Sequence, residues 1–315
     1  MNYELDNVEV REAVKKLCNN FSSVYWQKCD REKVYPSEFV SKLTDEGYLS
    51  ALIPQEYGGL GLQISVGAAI LEEIHRSGGN AGACHAQMYT MGTLLRHGSE
   101  DQKSHYLPKI ALGELRLQAF GVTEPNSGTD TLALTTSAKL SGDAYIVNGQ
   151  KIWTSRAEYS DLLLLLARTT QKENIKNKTD GLSVFLVDMR SVLGKSLTIK
   201  RIQTMMNHST TELFFDDMPV PAKNLIGEEG KGFKYILSGM NAERILIAAE
   251  CIGDAKWFIE KSSKYASERK VFGRAIGKNQ GIQFPIARAY SQMRAAELTL
   301  KHAIFLYEKG ENPGE

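Results

Sequence analysis

Residues 145–153 read Tyr-Ile-Val-Asn-Gly-Gln-Lys-Ile-Trp, and this stretch decides the fold class. It places an Asn-Gly pair between two runs rich in β-branched and aromatic residues, which predicts a β-hairpin that turns at Asn148 and Gly149. Three further runs of apolar and β-branched residues predict strands at residues 162–167, 182–187 and 211–215. The middle of the chain is therefore predicted to be a β-domain.

Helical spacing surrounds this middle part on both sides. Apolar residues recur at intervals of three and four before it, as at Ile70 and Ile74, and again after it, as at Ile236 and Met240. The prolines in residues 219–221 are unsuited to a central strand and are predicted to end the β-domain. The sequence thus predicts a mainly α fold with a central β-domain. The predicted divisions are an N-terminal helical domain at residues 1–115, a middle β-domain at 116–225 and a C-terminal helical domain at 226–315.

The charge balance argues against nucleic acid as a partner. The 315 residues contain 38 Lys and Arg against 37 Asp and Glu, for a net charge of +1. Such a balance supplies no electrostatic field that would draw the protein to DNA, RNA or an anionic membrane. A chain of this length exceeds the usual size of a single hydrophobic core, so two or three packed units that can enclose a deep pocket are expected.

The expected location is a reducing compartment. The four cysteines are scattered without a C-x-x-C pair, which favours free thiols over a disulfide framework. The acidic start of the chain fits neither a signal peptide nor a transit peptide, and no apolar run reaches the length of a membrane span. We therefore expect a soluble cytoplasmic protein with no membrane partner, or a mitochondrial matrix protein if a transit peptide has been removed.

No metal site is predicted. Glu72 and His75 have the spacing of a helical di-iron ligand pair, but such a site needs a second pair, and the sequence has none. A structural role for His75 is the preferred interpretation.

Six short motifs occur along the chain in one characteristic order. Residues 120–130 read Phe-Gly-Val-Thr-Glu-Pro-Asn-Ser-Gly-Thr-Asp, which is similar to the T-E-P-x-x-G-[ST]-D signature of the acyl-CoA dehydrogenases. The other five motifs of that family are matched at residues 54–61, 98–108, 148–155, 224–233 and 268–273. Any one match is weak, but six in family order make the chain resemble an acyl-CoA dehydrogenase. The resemblance implies the family's architecture, which is the helix, strand, helix order predicted above.

The resemblance implies an FAD site in the middle domain. Taken alone, residues 120–130 would be interpreted as a polar turn, and Trp153 either as an ordinary β-core residue or as a flat apolar surface for a ring to pack against. In the family these positions contact the flavin, with Ser commoner than Thr at position 129 and Thr commoner than Ser at position 155. The cofactor-binding residues implied are Phe120, Val122, Thr123, Gly128, Thr129, Trp153, Thr154 and Ser155, joined by Arg269, Phe272 and Gln280, of which Arg269 and Gln280 would reach the flavin of a neighbouring subunit.

The resemblance also implies a catalytic glutamate. Family members place this base either near the far C-terminus, in sequence that this chain does not contain, or on the helix after the G-x-G-F motif, as in isovaleryl- and long-chain-type members. Glu243 matches the second placement, and its spacing from Met240 and Ile247 predicts that it points inward. The alternative is a surface glutamate in a salt bridge. Substrate contacts are implied for Thr129, Asn241 and Arg244.

The implied reaction is α,β-dehydrogenation of an acyl-CoA to a 2-enoyl-CoA, with electrons passed to an electron-transfer flavoprotein. The family's assembly, a homotetramer built as a dimer of dimers, is implied as well. Family members run some 60 to 70 residues further, so the C-terminal bundle is expected to be incomplete. Two alternatives remain at this point: an acyl-CoA oxidase or flavin monooxygenase on the same scaffold, and a truncated, non-catalytic homologue that binds acyl-CoA or a protein partner.

Overall fold

The structure is a computed structural model, which describes residues 7–314. The helices are α1 (Val8–Cys18), α2 (Ser23–Glu32), α3 (Ser37–Asp45), α4 (Ile64–Arg76), α5 (Ala86–His97), α6 (Glu100–Ala111), α7 (Gly232–Glu268) and α8 (Gln280–Glu308). The strands are β1 (Leu117–Gly121), β2 (Ser137–Ser141), β3 (Ala144–Ser155), β4 (Leu162–Arg168), β5 (Leu182–Asp188), β6 (Leu197–Arg201), β7 (Thr210–Pro221), β8 (Leu225–Ile226), β9 (Lys270–Val271) and β10 (Arg274–Ala275). This order confirms the predicted fold, with helices on either side of a central β-domain.

The chain forms two compact units, each assembled from separate stretches of sequence. The first unit contains residues 7–28, Leu62–Ala81 and residues 241–314. The second unit contains Cys29–Gly61 and Gly82–Met240. The division into domains at 1–115, 116–225 and 226–315 stays a prediction.

A mixed sheet forms the centre of the second unit. Its strand order is β6-β7-β3-β2-β4-β5-β8, and β1 pairs in parallel with β4. Strands β4 and β5 are buried on both faces, as expected for near-continuous apolar strands. Leu164 and Leu186 pack in one apolar cluster with residues of α5 and α6, whereas Leu165 and Phe185 pack in a second cluster with residues of β3 and β7. The strands predicted at residues 162–167 and 182–187 are confirmed.

The hairpin predicted at Asn148 and Gly149 is wrong, because β3 runs without a break through both residues. The turn lies earlier, where Gly142 with φ of 64° connects β2 to β3. Gly149 instead occupies an irregularity in the pairing of β3 with β7, with φ of 146°. A Cβ atom at this position would lie 2.6 Å from Thr136 Oγ1, so close packing against a neighbouring segment, rather than a turn, requires the glycine.

The prolines at 219 and 221 also behave differently from the prediction. Strand β7 continues through both of them, and Pro219 lies opposite Ile146 of β3. Strand β6 pairs with residues 211–215 of β7, so among the described strands the later part of β7 has no partner on that edge. A missing N–H is tolerated at such an edge.

A chain of ion pairs connects four helices within the first unit. Glu72 of α4 receives hydrogen bonds from Arg11 of α1 at 2.8 Å and from Lys256 of α7 at 2.6 Å. Lys256 also donates to Glu297 of α8 at 2.6 Å. Burial acts to raise the pKa of Glu72, but the two cations outweigh it and leave this pKa below its usual value. The buried carboxylates are thus structural partners of fixed cations.

His75 likewise makes contacts that hold parts of the fold together. Its Nδ1 lies 2.9 Å from Asp254 Oδ1, and its Nε2 accepts the Ala81 N–H at 3.1 Å. Between residues 7 and 314, no three His, Cys, Asp or Glu side chains are arranged to hold a metal ion. Over the same residues, no helix combines the length and the apolar character needed to cross a bilayer.

Candidate functional site

The segment at residues 120–130 begins with the last two residues of β1, continues as a loop and is held against β3. The Ile152 N–H donates to the Thr123 carbonyl oxygen at 2.9 Å. The Lys151 ammonium donates to the Val122 carbonyl oxygen at 2.9 Å and to Glu124 Oε1 at 2.8 Å. The two sequence motifs that contain these residues therefore meet in the structure, as a flavin site made from both requires.

Lys151 and Glu124 form a buried ion pair. The Lys151 side chain is 0% exposed, and Glu124 also receives the backbone N–H groups of Thr135 at 2.7 Å and Thr136 at 2.9 Å. Burial would raise the pKa of Glu124, but the Lys151 charge and these hydrogen bonds prevail and lower it to about 2. The carboxylate is therefore ionised at neutral pH, and it fixes the shape of the loop from inside.

Trp153 stands out in β3 because its backbone is strained and its ring is exposed. Its φ is 62°, a left-handed conformation that is rare for a bulky residue, and the pairing of β3 with β7 shifts register here. The side chain is 57% exposed. Such strain costs about 1–3 kcal/mol and is concentrated at functional sites. The indole is thus presented as a flat apolar surface at the edge of the loop.

The next two residues carry hydroxyl groups at the same place. Thr154 is buried, and its Oγ1 finds no hydrogen-bond partner within the described part of the chain. Ser155 is half-buried, and its Oγ accepts a hydrogen bond from Asn207 Nδ2 at 2.9 Å. A buried hydroxyl without a partner is costly unless a ligand or water satisfies it.

The far end of the loop is open. Gly128 is exposed, and a Cβ atom built there would meet nothing within 4 Å. Its φ lies outside the left-handed region, so the fold itself does not require glycine at this position. Thr129 is exposed beside it, and Phe120 is half-buried at the start of the loop. This part of the loop can approach a ligand closely.

Three candidate substrate or catalytic residues lie together on α7. Glu243 is half-buried and Arg244 is exposed, and the inward direction of Glu243 stays a prediction. The Arg244 Nη1 donates to Asn241 Oδ1 at 3.1 Å. These residues belong to the first unit, whereas the loop at 120–130 belongs to the second.

The remaining candidates lie around a short hairpin in the first unit. Strands β9 and β10 are joined by Phe272 and Gly273, with φ of 49° and 77°. The Phe272 side chain is fully exposed at the tip. Arg269 and Gln280, which flank the hairpin, are also exposed.

Sequence reasoning missed several residues near the loop. The Glu124–Lys151 pair was within the quoted motifs, but 27 positions separate the two residues, and only the fold brings them together. An open cleft of about 440 Å³ was also missed. Its lining residues are Asp130, Leu132, Ala133, Lys172, Ile175, Lys176 and Lys178. The lysines of this cleft lie on the connection between β4 and β5, and the sequence gives no sign that this connection lies beside Asp130.

Family models match most of the chain. The N-terminal, middle and C-terminal domains of acyl-CoA dehydrogenase match residues 5–114, 119–218 and 230–315. The chain therefore belongs to the acyl-CoA dehydrogenase family, a group of FAD-dependent flavoprotein oxidoreductases in which tetramers are typical. It is an enzyme of this class.

Individual relatives agree with this assignment. Cyclohex-1-ene-1-carbonyl-CoA dehydrogenase of Syntrophus aciditrophicus is 34% identical over 289 residues, which cover 90% of this chain and 68% of that protein. A solved glutaryl-coenzyme A dehydrogenase with glutaryl-CoA is 30% identical, with a TM-score of 0.88 over 98% of this chain and 77% of that one. A structure described as an electron transferring flavoprotein of Acidaminococcus fermentans is 30% identical, with a TM-score of 0.88 over 97% and 80%.

The residues present fit the FAD of the family. An exposed indole, an unpartnered buried hydroxyl at Thr154 and the open backbone at Gly128 lie on one loop and the adjoining strand. A flavin ring needs an apolar face and polar groups along its edge, and a phosphate benefits from close backbone approach.

Proposed function

We propose that this protein is an FAD-dependent acyl-CoA dehydrogenase that converts an acyl-CoA thioester to its 2-enoyl-CoA. The observation that carries the proposal is the strained and exposed Trp153 beside the loop at 120–130. In this proposal Trp153 packs against the isoalloxazine ring, while Thr123, Thr154 and Ser155 offer hydrogen bonds to its polar edge. Val122 and Phe120 complete the ring site, and Gly128 and Thr129 approach a phosphate.

Removing the Trp153 ring tests this assignment without endangering the fold. Trp153→Gly removes an exposed side chain and relieves a positive φ, so the apoprotein should keep or gain up to about 1 kcal/mol of stability. Its affinity for FAD should fall at least about tenfold, because an aromatic contact and its buried area are lost. Thermal unfolding without FAD and a fluorescence titration with FAD measure the two effects. Unchanged FAD affinity would show that the indole does not contact the flavin.

Glu243 is proposed as the base, in the placement found in isovaleryl- and long-chain-type members. FAD, when bound, takes up the hydride that leaves the substrate's β-carbon. Glu243 accepts the proton from the α-carbon, which is weakly acidic beside a thioester and needs a base aimed at it. Arg244 and Asn241 are proposed to contact the acyl-CoA nearby.

The lysine-rich cleft supports a coenzyme A thioester as the substrate. Lys172, Lys176 and Lys178 line it together with Asp130, so positive groups outnumber negative ones. Leu132 and Ile175 add apolar surface. We propose that this cleft receives the phosphate-bearing end of coenzyme A while Thr129, one residue before Asp130, contacts the chain that leads to the thioester.

A charge-matched pair of variants tests the cleft. Lys176→Gln with Lys178→Gln should weaken acyl-CoA binding about 2- to 10-fold, since each exposed charge contributes up to about 1 kcal/mol, and should reduce its dependence on salt. Lys139→Gln with Lys195→Gln removes the same charge from exposed sites outside the cleft and should change neither quantity. Isothermal titration at two salt concentrations compares them. Equal losses in both double variants would assign the effect to net charge.

Assembly into a homotetramer, a dimer of dimers, is also proposed. The fully exposed Phe272, held at a positive φ on a hairpin tip, suits an aromatic that is covered by a second copy of the chain. In this arrangement Arg269 and Gln280 contribute to the flavin site of a neighbour, with the Arg269 guanidinium opposite its pyrophosphate, and Phe272 is a further flavin-site residue.

The electron acceptor proposed is an electron-transfer flavoprotein, and the cellular location proposed is the cytoplasm, or the mitochondrial matrix in an organelle-bearing source. Several relatives of 32–34% identity are named as dehydrogenases, which supports an electron acceptor other than oxygen. The experiment is aerobic turnover with acyl-CoA, with and without an electron-transfer flavoprotein. Dependence on the carrier with little peroxide supports a dehydrogenase, whereas rapid peroxide formation in air alone supports an acyl-CoA oxidase.

A further inference from the structure

The Lys151 ammonium lies between two groups of the loop at residues 120–130. It is completely buried and donates both to Glu124 Oε1 at 2.8 Å and to the backbone carbonyl of Val122 at 2.9 Å. Burying an ammonium away from water costs free energy unless a counter-ion is nearby, and Glu124 is that counter-ion. The bond to Val122 is additional, and it acts on the backbone just where the loop faces the proposed flavin.

The bond to Val122 determines where the next amide points. In a planar trans peptide, the carbonyl of Val122 and the N–H of Thr123 point in opposite directions, and the structure has no cis peptide in residues 7–314. Because Lys151 draws the carbonyl inward, the Thr123 N–H points away from the buried pair. This N–H donates no hydrogen bond to any residue in the described range. It is an oriented donor at the loop surface.

The following peptide is fixed independently. The Ile152 N–H donates to the Thr123 carbonyl at 2.9 Å, and the Glu124 N–H donates to the Ser127 carbonyl at 2.9 Å. Of these two consecutive peptide groups, the one between Thr123 and Glu124 is therefore held by backbone bonds on both its carbonyl and its N–H, and the one between Val122 and Thr123 is held by a side chain. Without Lys151, nothing in the described contacts would fix the Val122 carbonyl.

We infer that Lys151 is a positioning residue for the flavin: through the Val122 carbonyl it aims the Thr123 N–H at the polar edge of the ring, and Glu124 holds Lys151 in place for this task. The inference rests on the proposed function, since the ring is that of the FAD proposed above. Lys151 itself does not touch the flavin. Its effect on binding passes through one peptide group, which preorganises a donor that would otherwise have to be ordered on binding.

Three variants separate this role from general support of the fold. Lys151→Met keeps the length and the burial of the side chain but removes both hydrogen bonds. Glu124→Gln removes the counter-ion and leaves the Val122 bond possible. The double variant removes both charges, so it should recover much of the stability lost in either single variant, while the Val122 carbonyl remains unheld.

The expected FAD affinities follow from the Val122 bond rather than from stability. The dissociation constant for FAD should rise at least about tenfold in Lys151→Met and equally in the double variant, and less in Glu124→Gln. Val220→Ala is the control, because it creates a cavity in the other apolar cluster, which contains no residue of 120–130, and it should lose stability with its FAD affinity retained. A double variant that recovers FAD affinity together with stability, or a control that loses affinity to the same degree, would overturn the inference.

A second measurement needs no flavin. In the apoprotein, hydrogen exchange at the Glu124 amide should accelerate in Lys151→Met and stay fast in the double variant, because the loop has lost its internal anchor. Exchange as slow as in the unmodified protein would contradict the inference. If the unmodified protein fails to bind FAD, the proposed function fails, while this exchange measurement still decides whether Lys151 positions the loop.

Discussion

Replacing Glu243 by glutamine is expected to slow the reduction of the bound flavin by acyl-CoA about 10²- to 10⁴-fold, the usual contribution of a general base. Glutamine keeps the size of the side chain and its capacity for hydrogen bonds, but it cannot accept the α-proton. Binding of FAD and of acyl-CoA should remain, since neither requires this carboxylate. Stopped-flow absorbance in the absence of oxygen measures the rate directly.

Glu260→Gln is the matched control for this prediction. Glu260 lies on the same helix α7, but it is exposed, so the same chemical change should leave the rate of flavin reduction unaltered. A Glu243→Gln protein that reduces its flavin as fast as the control would show that the base lies elsewhere in the protein.

Replacing Glu124 by glutamine is expected to lower the free energy of unfolding by about 3–5 kcal/mol, because it leaves the buried Lys151 ammonium without its counter-ion. Equilibrium denaturation of the apoprotein in urea measures the change. Glu158→Gln is the control. It breaks a more exposed pair with Arg201 and should cost less than about 1 kcal/mol. Equal losses of unfolding free energy in both variants would contradict the claim that the buried Glu124 pair stabilises the fold more than the exposed pair does.

The stabilisation that ionised Glu124 provides should also depend on pH. Its pKa is lowered from 4.5 to about 2 in the folded protein, so the folded state holds its proton less tightly than the unfolded state. The stabilisation is therefore complete above pH 4.5 and is lost as the pH falls toward 2. The unmodified protein should lose stability more steeply over this interval than Glu124→Gln does, and parallel curves would contradict the assignment.

The order of elements could be predicted from sequence because it depends on periodicity. The apolar runs at residues 162–167 and 182–187 predicted strands, and strands are found there; their burial on both faces was not part of that prediction. The hairpin at Asn148 and Gly149 could not be predicted correctly from the local turn rule. There the glycine is required by Thr136, which approaches its backbone in the fold, and a tertiary contact of this kind leaves no local signal.

In the candidate site, too, the sequence identified residues, but their geometry depends on tertiary contacts. The motifs named Trp153, but its positive φ and exposed ring emerge only from the shifted pairing of β3 with β7. Glu124 and Lys151 lie in two separate motifs, and their pairing depends on the contact between the loop and the strand. Sequence identified which segments carry chemistry, whereas their mutual geometry required the fold.

The most direct test of the central claim is the visible absorbance spectrum of the FAD-loaded protein, recorded without oxygen before and after acyl-CoA is added. An acyl-CoA dehydrogenase should show the bands of oxidised flavin, and these should bleach on addition of an acyl-CoA, with 2-enoyl-CoA recovered as the product. A protein that binds FAD but keeps its oxidised spectrum with every acyl-CoA of a panel of different chain lengths and branching would contradict the account.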